Sequence, residues 1–170
     1  TMESQALSLY ELLGRIRTVL KNNLPGSYWI TAEIGELKVN YSGHCYLELI
    51  EKESSGESIK AKARATIWSS VFRMVQPYFE TTTKVPLAAG IRIMVKVNPE
   101  FHEHYGFSLN ITDIEPAFTV GELALQKQAI INRLVAEGVF DMNRSLPLPE
   151  LPGRVALISS KTAAGLGDFM

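Results

Sequence analysis

The chain of 170 residues has a single cysteine, Cys45, so no intramolecular disulfide can form and a reducing cytoplasm is the expected location. No stretch approaches the roughly 18–20 uncharged apolar residues of a membrane helix, and no membrane partner is expected. A basic segment followed by an apolar run, the mark of a secretion signal, is missing from the first residues. Thr1 ahead of Met2 reads as a residue added in front of a natural start. Excess charge is also lacking: 17 Lys and Arg stand against 18 Asp and Glu, a formal net charge of −1. That balance argues mildly against a polyanionic ligand, although local cation density decides phosphate binding more than the sum does. Internal repeats and low-complexity tracts are absent. What is present, 46% hydrophobic and 21% charged residues, is an ordinary globular composition. The length suits one well-cored domain and part of a second.

The chain opens on a helical pattern from Ser8 to about Asn22. Ser8 with Glu11 makes a capping box, Leu7 with Leu12 has the spacing of a hydrophobic staple, and Leu9, Leu12, Leu13, Ile16, Val19 and Leu20 form one apolar face that is expected to be buried. A helix that covers a barrel and carries no chemistry accounts for this segment. From Tyr28 the period changes to two. Strands are expected over Tyr28–Ile34, continuing raggedly to Val39, then His44–Lys52, Ile59–Trp68, Gly90–Asn98 and Phe107–Ile114. A short helix, Val71–Phe79, falls between the third and fourth strands, and Pro99–Tyr105 reads as a loop. Three strands, a helix and two strands is the order of the five-stranded OB-fold barrel. A second helix is expected from Val120 to about Glu137, ended by Gly138. Three prolines between Asn143 and Gly153 then read as a linker, and Arg154–Ser160 as a strand before a helix starting near Ala163. The expected class is mainly β with flanking helices. Its domains are 1–26, a helix on the barrel; 27–116, the OB-fold barrel; 117–153, helix and linker; and 154–170, the start of a truncated α/β domain that cannot bury a core alone.

The third strand is the most informative. Ile59, Ala61, Ala63, Ala65 and Ile67 share one small apolar face, and Lys60, Lys62, Arg64, Thr66 and Trp68 share the other. Cations that follow phosphates beside an indole that stacks on bases suit a single-strand binder. His44, Tyr46 and Glu48 point outward on the neighbouring strand, and Lys38 and Tyr41 lie in the connection before it. Glu48 would repel phosphate. The plainer alternative is a solvated outer face with Trp68 tucked beneath the short helix. In the loop 98–106, Phe101, His102, His104 and Tyr105 offer stacking groups, with Tyr105 the candidate contact, against a simple polar hairpin turn. His102 and His104 at i, i+2 with His44 or Cys45 are weak support for a metal, and no metal or cofactor is expected. The junction Ser159–Gly165 has small and hydroxylated residues suited to an anion, but lacks the spaced glycines of a P-loop.

Together, Trp29-Ile30 through Glu33-Ile34, Ser42-Gly43-His44-x-Tyr46, Ile67-Trp68, Gly138-Val139-Phe140-Asp141, Pro147-Leu148-Pro149 and Val155-x-Leu157-Ile158-Ser159-Ser160-Lys161-Thr162-x-Ala164 resemble the large subunit of exodeoxyribonuclease VII. The resemblance runs from about Ala6 to the end of the chain. It implies an N-terminal OB-fold that feeds single-stranded DNA to a catalytic domain, in a bacterial cytoplasmic enzyme that degrades the strand from both ends to short oligonucleotides. It also implies a small helical partner subunit in several copies, metal-independent hydrolysis, and a catalytic role for Asp168. Ser69 departs from the family, where a basic residue often follows the aromatic at the Trp68 position, and the loop 98–106 is unusually rich in acidic and histidine residues. Two other readings use the same barrel: a stand-alone single-strand-binding protein, and RNA recognition of the tRNA anticodon-binding type. The Pro-rich linker and the expected strand Arg154–Ser160 favour the nuclease over the first. No synthetase motif supports the second.

Overall fold

A computed structural model describes residues 6–54, 56–160, 163 and 165. Its elements in chain order are α1 (Leu9–Asn23), β1 (Tyr28–Val39), β2 (Cys45–Lys52), β3 (Ile59–Ile67), α2 (Ser69–Thr83), β4 (Arg92–His102), β5 (Gly106–Ile114) and α3 (Pro116–Ala136). The chain divides into two compact units, 1–128 and 129–170.

In the first unit the five strands close into a barrel in the order β1-β2-β3-β5-β4. β1 makes closure possible by serving two neighbours. Tyr28–Glu33 pairs with β4 and Glu33–Val39 with β2, both antiparallel. The change of partner falls beside a register shift between Ile34 and Glu36. Gly35 lies inside it, where an added Cβ would press to 3.2 Å on Ile50 Cγ2, so a glycine lets the strand bend there. The parallel pairs Ala65↔Leu109 and Thr66↔Asn110 shut the barrel between β3 and β5. Alternate residues fill the interior: Ile34, Cys45, Ile67, Ile93, Val95, Val97 and Ile111 are at most 1% exposed. α2 joins this core through Phe72, Val75 and Phe79.

The expected barrel is therefore present; β2 and β3 are each one residue shorter than the sequence pattern indicates, and α2 and β4 run further. β4 continues through Pro99 to His102, so the supposed loop is a β4–β5 hairpin in which Phe101 faces Phe107 and His102 faces Gly106. α3 starts at Pro116, not Val120, since proline suits the first helical turn, where no N–H partner is needed. Thr119 is buried there and its hydroxyl donates to the Arg92 carbonyl at 2.8 Å.

α1 corrects an expectation. The Ser8–Glu11 capping box forms as read, but no residue of the helix is buried. α1 rests against β4, with Leu13 and Leu20 half-buried while Leu9, Leu12, Ile16 and Val19 stay exposed. In the second unit, Gly138 (φ 71°) follows the last turn of α3, and turns fill 140–146. Arg154–Ser160 is not a strand: it finds no partner strand among the described residues, and a lone strand has nothing to receive its backbone hydrogen bonds. The helix expected near Ala163 lies almost wholly outside the described residues, as does Asp168.

Candidate nucleic-acid interface

Antiparallel register arranges the outer face of β1, β2 and β3 in rows. Lys38, Tyr46 and Thr66 form one, Glu36, Glu48 and Arg64 the next, and Ile50 with Lys62 a third. Carboxylates therefore alternate with the expected phosphate ligands. Lys62 Nζ lies 2.8 Å from Glu48, Lys38 Nζ 2.7 Å from Glu36, and Lys60 Nζ 3.4 Å from Glu51. The Lys38 hydrogen bond holds the Glu36 carboxyl below its ordinary pKa, and the same contact holds the Lys38 ammonium above its own. Such exposed pairs add little stability, but a phosphate must compete with a carboxylate for each of these lysines.

Arg64 is different. No carboxylate pairs with it among the described residues, and its Nη2 donates only to the Tyr105 carbonyl, at 3.4 Å. That bond joins β3 to the tip of the β4–β5 hairpin. Arg64 also lines a cleft of about 1100 Å³ bounded by α1, β2, β3 and the hairpin. Tyr46, Trp68, Tyr105 and Phe107 line the same cleft, each between 42% and 71% exposed. Arg17 and Lys21 of α1, one helical turn apart, bring two further cations to its wall.

Trp68 is placed by backbone geometry. β3 ends at Ile67, and Trp68 becomes the N-cap of α2 (φ −63°, ψ 148°) with a side chain unable to cap. His44 supplies the missing acceptor: its Nδ1 takes the Ser69 N–H at 3.0 Å, while its ring stands edge-on to the indole, centroids 4.9 Å apart. The ring that sequence assigns to nucleic acid is thus engaged in holding the turn that presents Trp68.

Residues 7–115 match the family of OB-fold nucleic acid binding domains. The chain belongs to that family. Around and beyond its OB-fold, it is homologous to exodeoxyribonuclease 7 large subunits. That of Deinococcus radiodurans is 40% identical over 169 residues, which cover 97% of this chain and 40% of the relative. That of Vibrio parahaemolyticus is 33% identical over 160 residues, covering 94% of this chain and 32% of the relative. The chain thus spans between 32% and 40% of the length of these curated relatives. Solved structures similar to the OB-fold include the N-terminal domain of PriB from Thermoanaerobacter tencongensis, at 14% identity and TM-score 0.32, covering 52% of this chain and 92% of that one. A mitochondrial single-stranded DNA binding protein from S. cerevisiae matches at 15% identity and TM-score 0.34, covering 53% and 91%.

Of the residues singled out from sequence, the OB-fold gathers Tyr46, Arg64, Trp68 and Tyr105 around one cleft. Lys38, Tyr41, His44, Lys60 and Lys62 do not line it, and Tyr41 projects fully into solvent at the β1–β2 turn. Trp68 is 44% exposed, not sunk beneath α2. His102 and His104 build the hairpin turn: the His104 N–H donates to His102 Nδ1 at 3.0 Å, and both rings pack on Tyr105. Phe101, which sequence offered as a stacking group, also lines the cleft, whereas sequence reasoning missed Arg17, Lys21 and Phe107 in its wall. The i, i+4 spacing of Arg17 and Lys21 was a usable signal, since it puts both cations on one helix face.

Proposed function

We propose that this chain is the substrate-guiding OB domain of an exodeoxyribonuclease VII large subunit, that it holds single-stranded DNA in the cleft around Arg64, and that it delivers the strand to a catalytic domain beginning near residue 154. One observation carries the reading: four exposed aromatic side chains, Tyr46, Trp68, Tyr105 and Phe107, surround a guanidinium that has no carboxylate partner among the described residues. Stacking surfaces beside an available cation are what a flexible polyanion with unpaired bases requires, and stacking tolerates any sequence. The homology supports the nuclease context.

Within this reading, Arg64, Tyr46, Trp68 and Tyr105 contact the strand first. Lys38, Lys60 and Lys62 are secondary contacts, since a phosphate must displace a carboxylate from each; Tyr41 adds an exposed ring at the edge of that face, and His44 serves by fixing Trp68. Asp168 is the catalytic residue of the following domain, which acts in the cytoplasm with a small partner subunit. The reading is tested by titrating a labelled oligonucleotide with the 170-residue chain. Trp68→Ala is expected to weaken binding about 5- to 150-fold, the equivalent of roughly 1–3 kcal/mol for one stacked base. Unchanged affinity removes Trp68 from the interface. The nuclease role is tested by extending the chain to its relatives' full length, adding the small subunit and assaying cleavage with and without Asp168→Asn. Undiminished cleavage by the variant withdraws the catalytic assignment.

A further inference from the structure

The hairpin that closes the cleft carries an acid at its tip. Glu103 sits in the β4–β5 turn, between His102 and His104, where a free carboxylate would repel phosphate. The structure turns it away from the cleft. Its side chain is 9% exposed and lies against α1, with Oε1 3.9 Å from the position a Cβ on Gly14 would take. Arg17 Nη1, one turn further along the helix, stands 3.2 Å from Oε1 and donates to Oε2 at 3.4 Å, while Oε1 itself accepts no hydrogen bond. Among the described residues the only charge compensation for this buried carboxylate is therefore Arg17, whose side chain is 55% exposed and also faces the cleft.

We infer that Arg17 and Glu103 form a positioning pair that latches the β4–β5 hairpin to α1, neutralises the hairpin's acid and so keeps Tyr105 over the binding cleft. The inference rests on the single-strand-binding reading above and adds to it a role for α1, a helix that otherwise packs loosely. Two links hold the hairpin in place, Arg17 to Glu103 on the helix side and Arg64 to the Tyr105 carbonyl on the β3 side. Without Arg17, Glu103 is left buried with no counter-ion among the described residues. The carboxylate then escapes by moving into solvent, which carries the hairpin away from α1 and exposes a negative charge near the phosphate path.

The test is a double-mutant cycle on the 170-residue chain, with oligonucleotide affinity and backbone hydrogen exchange as readouts. Arg17→Met is expected to weaken oligonucleotide binding about three- to tenfold and to speed exchange at 102–106 without ligand. Arg17→Met combined with Glu103→Gln, which removes the uncompensated charge, is expected to recover most of both losses. If the double variant binds as weakly as Arg17→Met, Arg17 is a direct phosphate ligand and the latch is overturned. Unchanged exchange at 102–106 in Arg17→Met overturns it as well. The exchange readout needs no DNA, so a wild-type chain that binds no oligonucleotide defeats the single-strand reading while leaving the latch to be judged on exchange alone.

Discussion

Cys45 illustrates how one residue's chemistry is set by its side of a strand. It opens β2 opposite Ile67, faces the barrel interior with no exposed surface, and burial pushes its thiol up to about 11. The folded state favours the protonated thiol, so its contribution to stability is present below the unfolded pKa, near 9, and is lost as pH rises toward about 11. Alkylation at pH 8 is therefore expected to be undetectable in the folded chain and complete in denaturant, as read by mass shift; rapid labelling without denaturant would mean that the barrel opens at β2. Alternation alone was enough to place Cys45 inward. It was also enough to place Lys60, Lys62 and Arg64 outward, but not to tell them apart. Which cation keeps its charge available depends on the register and side-chain reach that bring Glu48 to Lys62 and Glu51 to Lys60, and pairing across strands is not written in either strand by itself.

At the scale of elements, the sequence pattern sets two ends too early, those of α2 and β4. α2 reads as stopping at Phe79 because Thr81, Thr82 and Thr83 are poor helix formers. It continues to Thr83 because tertiary contacts favour it: Thr83 is buried and bonds back to the Phe79 carbonyl at 2.8 Å, and the Glu80 carboxylate accepts the Leu87 N–H at 3.1 Å. β4 outruns its expected end for a related reason. Pro99 looks like a strand terminator, but β1 pairs with β4 no further than Val97, so Pro99 lies where one edge of β4 is free and proline is tolerated. The end of α2 also stores a correctable cost. Lys84 caps it in the left-handed region (φ 62°, ψ 17°), a conformation that strains an L side chain and suits glycine. Lys84→Gly is expected to stabilise the first unit by about 0.5–1 kcal/mol, seen as a rise of a few degrees in the midpoint of thermal unfolding. A fall in the midpoint would mean that the lysine side chain contributes more than its backbone costs.

For the whole molecule, the net charge of −1 and the acid–base pairing on the β1–β3 face lead to one quantitative expectation. A single strand that crossed that face would have to engage Lys38, Lys60, Lys62 and Arg64 together with Arg17 and Lys21 of the cleft. Six phosphate contacts give a logarithmic salt slope of about −4. The cleft path asks for less. Arg64 and Lys21 have no carboxylate partner among the described residues, and Arg17 is engaged with Glu103, so two or three phosphates are neutralised and the slope should lie near −1.5 to −2. Stacking then supplies most of the remaining affinity, and stacking is weakly dependent on salt. Titrations of a labelled oligonucleotide across a series of salt concentrations distinguish the two paths. A slope steeper than about −3 would restore the outer lysines as principal ligands. A shallow slope combined with strong sensitivity to Trp68→Ala would identify a domain that holds its strand by aromatic contact and lets phosphates pass.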